Sequence, residues 1–160
     1  MDAFTIVHVV LSVITIVVGF VVVVGMVLRL QADRWSAPFL LGAAATSITG
    51  FLFPFHGFTP AIGLGIISLP VLGLAILARY VGHLNGSWRW IYVISVAASL
   101  YFNVFVLVVQ LFQKAPTLKA LAPTQSEPPF LVAQMIVLAS FALLTLGAAL
   151  RFRPSLVYQR

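Results

Sequence analysis

Six side chains in this sequence are of types that could do chemistry together: His8, His56, Asn103, Gln110, Glu127 and Gln134. Neutral imidazole nitrogen and carboxylate oxygen are ligands for zinc, copper and non-haem iron, so His8, His56 and Glu127 form a candidate metal set. His8 and His56 also suit the axial pair of a b-type haem, because each falls at a similar depth on a separate element. A third chemistry needs no cofactor. The same imidazoles and carboxylate, with the amides of Asn103, Gln110 and Gln134, could hold a lipid headgroup, a quinone or another small amphiphile. No two of the metal candidates share a helix at i,i+3 or i,i+4 spacing, so any such site must be assembled from three elements.

Other chemistries are excluded or left without support. The absence of cysteine rules out a thiolate nucleophile, cysteine-ligated zinc, iron–sulfur clusters and covalent c-type haem. Asp2 and Asp33 are expected on opposite sides of a membrane, so Ser, His and Asp do not combine into a triad. There is no glycine-rich phosphate loop, and His83 stands apart in a turn with no assigned role. No motif names a reaction, and binding is favoured over catalysis.

The elements that must position these residues are membrane helices. Of 160 residues 62% are hydrophobic and 8% charged, against about 25% charged in an ordinary soluble domain. The apolar residues come in long blocks rather than half-apolar periods, which places the chain in lipid as one domain, residues 1–160. The formal charge of +6 does not point to nucleic acid. The nine lysines and arginines fall between the apolar blocks, with no basic cluster interleaved with aromatics.

Five blocks are long enough to cross a core of about 30 Å: residues 4–28, 37–53, 60–80, 90–113 and 130–150. The expected fold is therefore an all-α bundle of five transmembrane helices. The first block lacks a positive leader and a small-residue cleavage site, so it is expected to be a retained helix rather than a signal peptide. Phe53-Pro54-Phe55-His56-Gly57-Phe58-Thr59-Pro60 is a hinge, since two prolines and a glycine stop one helix and start the next. Asn85-Gly86 marks a turn, and Pro70 should kink the third helix. Residues 114–129 form the one long loop, with an amphipathic turn expected at 116–121. Pro128-Pro129 there should fix where Glu127 points.

Five spans put Arg29, Arg34, Arg79, Arg89, Arg151, Arg153 and Arg160 on one side, and only Lys114 and Lys119 on the other. The positive-inside rule then places the N-terminus outside and the C-terminus in the cytoplasm, in a membrane of the bacterial inner-membrane kind.

Polar residues in lipid face the bundle, so their spacing orients each helix. Thr5, His8, Ser12, Thr15 and Gly19 form one stripe of a 3.6-residue period, and Ser95, Ser99, Asn103 and Gln110 form another. Gly42, Thr46 and Gly50 make a small-residue face on the second helix, and Ala61, Gly65 and Gly73 a similar one on the third; both suit close packing within the bundle or between copies. His8, His56, Glu127, Gln110 and Gln134 all fall within about two turns of the outer surface. The expected function is an accessory or binding subunit, as a homo-oligomer or part of a larger membrane complex, with an outward-facing polar site. A metal- or haem-dependent membrane oxidoreductase is the alternative. A small transporter or channel comes third, because no charged residue is expected at mid-membrane to couple ions.

Overall fold

The computed structural model describes residues 3–30, 33–54 and 60–154. All of the regular structure among them is helical: α1 (Ala3–Leu28), a 3₁₀ turn (Asp33–Trp35), α2 (Ser36–Phe51), α3 (Pro60–Tyr80), α4 (Ser87–Lys114), α5 (Pro116–Leu121) and α6 (Pro128–Arg151). Helices α1, α3, α4 and α6 are long and apolar enough to cross a membrane. With 16 residues, α2 is about 24 Å long at 1.5 Å per residue, shorter than a typical hydrocarbon core.

Successive long helices run in opposite directions. Along α1, His8 meets Thr49 and Thr15 meets Gly42, so α2 returns beside it. Phe51 at the end of α2 packs on Gly65 near the start of α3. Arg79 reaches Tyr92 across the α3–α4 turn. On α4 and α6, Phe112 pairs with Phe130 and Tyr101 with Phe141. Helices α1 and α6 therefore lie parallel, with Phe20 against Phe141 and Val27 against Gly147.

The inward stripe of α1 is where the bundle closes. A Cβ on Gly19 would lie 2.6 Å from Leu100 of α4 and 2.7 Å from Phe39 of α2, so only glycine lets three helices meet there. Val22, Val23, Phe39, Tyr92, Val96 and Leu100 fill the core around this point. Such packing matters more in lipid than in water, because burial from a lipid-like solvent supplies no hydrophobic gain. A second, smaller cluster of Val109, Phe112, Ala122 and Phe130 seats the 115–127 loop against α4 and α6.

Local sequence accounts for the helix ends. Gly86 takes φ +52° and turns the chain into α4 at Ser87, three residues ahead of the expected Trp90. Prolines open α5 and α6, where a missing amide costs nothing. Helix α3 continues through Pro70, which cannot donate to the carbonyl four residues earlier.

Candidate functional site

His8 is part-buried on the inward stripe of α1, and its ring is held on three sides. Nδ1 lies 2.8 Å from Thr49 Oγ1 on α2. The Phe53 ring meets it edge-on at 5.1 Å between centroids, and Phe4 in turn packs on Phe53 at 4.9 Å. The Cα of Gly50 passes close enough that an added Cβ would sit 3.8 Å from His8 Cε1. One turn further in, the Ser12 hydroxyl donates to the His8 carbonyl at 2.7 Å.

These contacts couple the ring's proton to the Thr49 hydroxyl. A threonine hydroxyl carries one hydrogen. Thr49 Oγ1 donates it along its own helix to the Ala45 carbonyl at 2.7 Å, with a longer approach of 3.2 Å to the Thr46 carbonyl. With its hydrogen placed there, the oxygen accepts from His8 Nδ1–H, and a neutral imidazole then keeps its lone pair on Nε2. With the hydrogen turned to Nδ1 instead, Thr49 is the donor and Nε2 carries the proton. Thr49 and Phe53 were not candidates on sequence grounds. The signal for Thr49 was its place between Thr46 and Gly50, on the α2 face that the α1 stripe must meet.

Of the other candidates, Glu127, Gln110 and Gln134 lie toward the same end of the bundle, and Asn103 is near the middle of α4. His56 lies outside the described residues. Glu127 turns back on its own loop, where its carboxylate accepts from Thr124 N (3.1 Å), Thr124 Oγ1 (2.9 Å) and Ser126 N (3.1 Å). Partial desolvation raises the Glu127 pKa, but these hydrogen bonds outweigh it and hold the carboxyl below its ordinary value. Gln125 reinforces the loop: its amide donates to the Val109 carbonyl at 2.9 Å and accepts from Gln113 at 3.3 Å. Gln110 is part-buried on α4. Gln134 is buried and donates to the Phe105 carbonyl at 3.3 Å, tying α6 to α4, while its Oε1 has no partner among the described residues. Asn103 donates within its own helix to the Ser99 carbonyl at 2.9 Å. Among the described residues no three His, Asp or Glu side chains gather as a metal set would.

Three hydroxyl oxygens deeper in the bundle, Thr15 Oγ1, Thr46 Oγ1 and Ser99 Oγ, also have no hydrogen-bond partner among the described residues. Thr15 Oγ1 instead lies against the Gly42 backbone, where the missing side chain allows a close approach of α1 and α2. Weak Cα–H···O contacts of this kind recur at helix–helix interfaces. The arrangement is one of tight packing behind His8.

The opposite end carries the arginines. Arg79 is buried and bonds Tyr92 Oη at 3.3 Å, with its guanidinium 5.6 Å from the rings of both Tyr80 and Tyr92. Arg89 donates to the Ala149 and Phe152 carbonyls at the end of α6, and Arg151 to the Val27 carbonyl at the end of α1. Cations placed on helix C-termini satisfy the last carbonyls and oppose the helix dipole. Sequence reasoning saw these residues only as orientation signals. No protein-family model matches this chain, nor does any curated protein or solved structure, so its function is argued from the chemistry of the chain itself.

Proposed function

We propose that this chain is a small polytopic membrane protein that crosses the bilayer five times, N-terminus outward, and serves as a binding or accessory subunit through the His8 end of the bundle. The observation that carries the reading is the His8–Thr49 hydrogen bond, since it holds the ring in place and, with the Thr49 hydrogen on the Ala45 carbonyl, leaves Nε2 as a hydrogen-bond acceptor or ligand atom. An imidazole in lipid is costly without such a role. The strict alternation of the five bundle helices supports five crossings, α2 included, with the 3₁₀ turn and Phe53 extending it toward the two surfaces. The distribution of the arginines supports the sidedness.

A second reading rests on the same bond. Metal-bound histidines commonly donate their other ring N–H to a fixed acceptor, which is the position of Thr49 here. His8 would then supply one ligand of a metal or haem b, and His56 is the second candidate.

One preparation separates the two. The visible spectrum and metal content of the purified protein are measured beside those of His8→Ala. The binding-subunit reading expects no stoichiometric chromophore or metal in either. A haem spectrum or one bound metal per chain that His8→Ala abolishes would establish the oxidoreductase-type reading in its place.

A further inference from the structure

At the arginine-rich end, the α3–α4 turn, the start of α4 and the segment after α6 border an open cleft of about 500 Å³ whose lining includes Asn85, Ser87, Arg89, Trp90 and Pro154. We propose that this cleft is a site for the phosphate group of an anionic phospholipid. The proposal does not depend on the role of His8 or on which side of the membrane the cleft faces.

Arg89 supplies the charge in a usable form. Both of its bonds to α6 use Nη1, so Nε and Nη2 of the planar guanidinium are not engaged by described residues. Its Cζ lies 4.4 Å from the centre of the Trp90 ring, which seats the guanidinium over an indole face. A fork fixed by two carbonyls and a ring is suited to paired oxygens of a phosphate, as a flexible ammonium is not. Ser87 and Asn85 line the same cleft, and their hydroxyl and amide are donor types suited to a phosphate.

The surroundings favour an anion and place it at headgroup level. Trp88 and Trp90 are 38% and 40% exposed, where indoles settle at the membrane–water boundary. Arg29, Arg34, Arg79, Arg151 and Arg153 belong to the same end. Of the chain's three acidic residues, only Asp33 falls in the connectors there, and the lining of the cleft contains none among the described residues. A guanidinium at a membrane surface without a carboxylate partner attracts anionic lipid.

The test compares full-length protein in phosphatidylcholine with protein in phosphatidylcholine containing phosphatidylglycerol, reading the unfolding midpoint and the lipid retained in native mass spectrometry. Arg151→Gln is the control, because it also removes one charge and one helix-end cap but lies outside the cleft. Phosphatidylglycerol should stabilise wild type and Arg151→Gln alike, and Arg89→Gln should lose about tenfold in preference for it, the loss expected for a charged hydrogen bond. Arg89→Lys keeps the charge without the fork, and should lose most of the preference even if Arg89→Gln does not fold. An unchanged preference in Arg89→Lys, or equal losses in Arg89→Gln and Arg151→Gln, would overturn the site. Inorganic phosphate added to protein in phosphatidylcholine should have little effect; a stabilisation equal to that of phosphatidylglycerol would overturn the lipid assignment in favour of a free anion.

Discussion

Replacing Gly42 by alanine tests the packing behind His8. The new Cβ would sit 2.5 Å from Thr15 Oγ1, 3.3 Å from Thr15 Cβ and 3.4 Å from Thr15 Cγ2. Thr15 is 2% exposed, so it cannot swing into open space. Two effects compete. Alanine in place of glycine favours a helix interior by about 1 kcal/mol, while overpacking a tight contact costs about 1–3 kcal/mol. The net cost is then up to about 2 kcal/mol, or several degrees in the unfolding midpoint at about 2–4 °C per kcal/mol. Gly50 and Gly73 are internal standards for the propensity term alone. A Cβ at Gly50 would meet only His8 Cε1, at 3.8 Å, and one at Gly73 would meet nothing within 4 Å. Gly50→Ala and Gly73→Ala should therefore raise the midpoint, and Gly42→Ala should lower it. Combining Gly42→Ala with Thr15→Ala removes the clash, so the double variant should recover more than the sum of its parts. Thermal unfolding in lipid nanodiscs decides the matter. A Gly42→Ala midpoint equal to that of Gly73→Ala would show that the α1–α2 approach is not tight, and the reasoning would fail with it.

Four further outcomes are expected. Nitrogen-15 spectra should show His8 protonated at Nδ1; a resting proton on Nε2 would refute the tautomer. Thr49→Val should mix the two tautomers and cost about 0.6–1.7 kcal/mol, the range for a hydrogen bond between membrane helices. Because the Glu127 pKa is lowered, its contribution is present above the ordinary carboxyl value and is lost as pH falls through the lowered one. The Thr124 and Ser126 amide resonances should titrate together with a midpoint below that of free glutamate, and a midpoint above it would refute the loop's hydrogen bonding. Since the chain has no cysteine, Ser87→Cys and Thr124→Cys can be labelled singly in vesicles. They should react from opposite sides, and labelling of both from one side would exclude five crossings.

What was legible in the sequence was periodic. The α1 stripe from His8 to Gly19 does face the bundle, and Gly42 and Gly50 do line the α2 face that meets it, because in lipid only a neighbouring helix shelters polar and small residues. The amphipathic turn at 116–121 forms as a short helix. Partners of individual side chains were not legible. Pro128-Pro129 made a fixed direction for Glu127 foreseeable, yet its target is three residues back in the chain, set by the turn at Gln125 (φ +61°). His8 was visible as a residue in need of a reason. The reason given by the structure, Thr49, depends on the depth at which α1 and α2 pass each other, and that depth follows from the close approach at Gly19 and Gly42 rather than from any local pattern.

The basic end shows a single residue type serving two demands at once. Helices α1, α3 and α6 all finish there, so three sets of terminal carbonyls point the same way and give that end a negative dipole surface. Arg89 and Arg151 are each donated by a different helix to close one of those termini, and Arg79 stands in the last turn of α3 itself. A bundle with an odd number of alternating helices always has one more C-terminus at one end than at the other, here three against two. The end with three recruits cations whether or not the membrane potential requires them. Charge asymmetry and odd helix number are therefore coupled in this chain, and the arginines read from sequence as orientation signals are the ones that bond its helix ends. Removing one of the capping arginines should weaken the fold before it disturbs the topology. The five that remain at that end among the described residues still outnumber the two lysines opposite, so Arg151→Gln should show a lower unfolding midpoint with the labelling sidedness of Ser87→Cys unchanged. Inverted labelling at an unchanged midpoint would show instead that orientation, and not helix closure, is what Arg151 supplies.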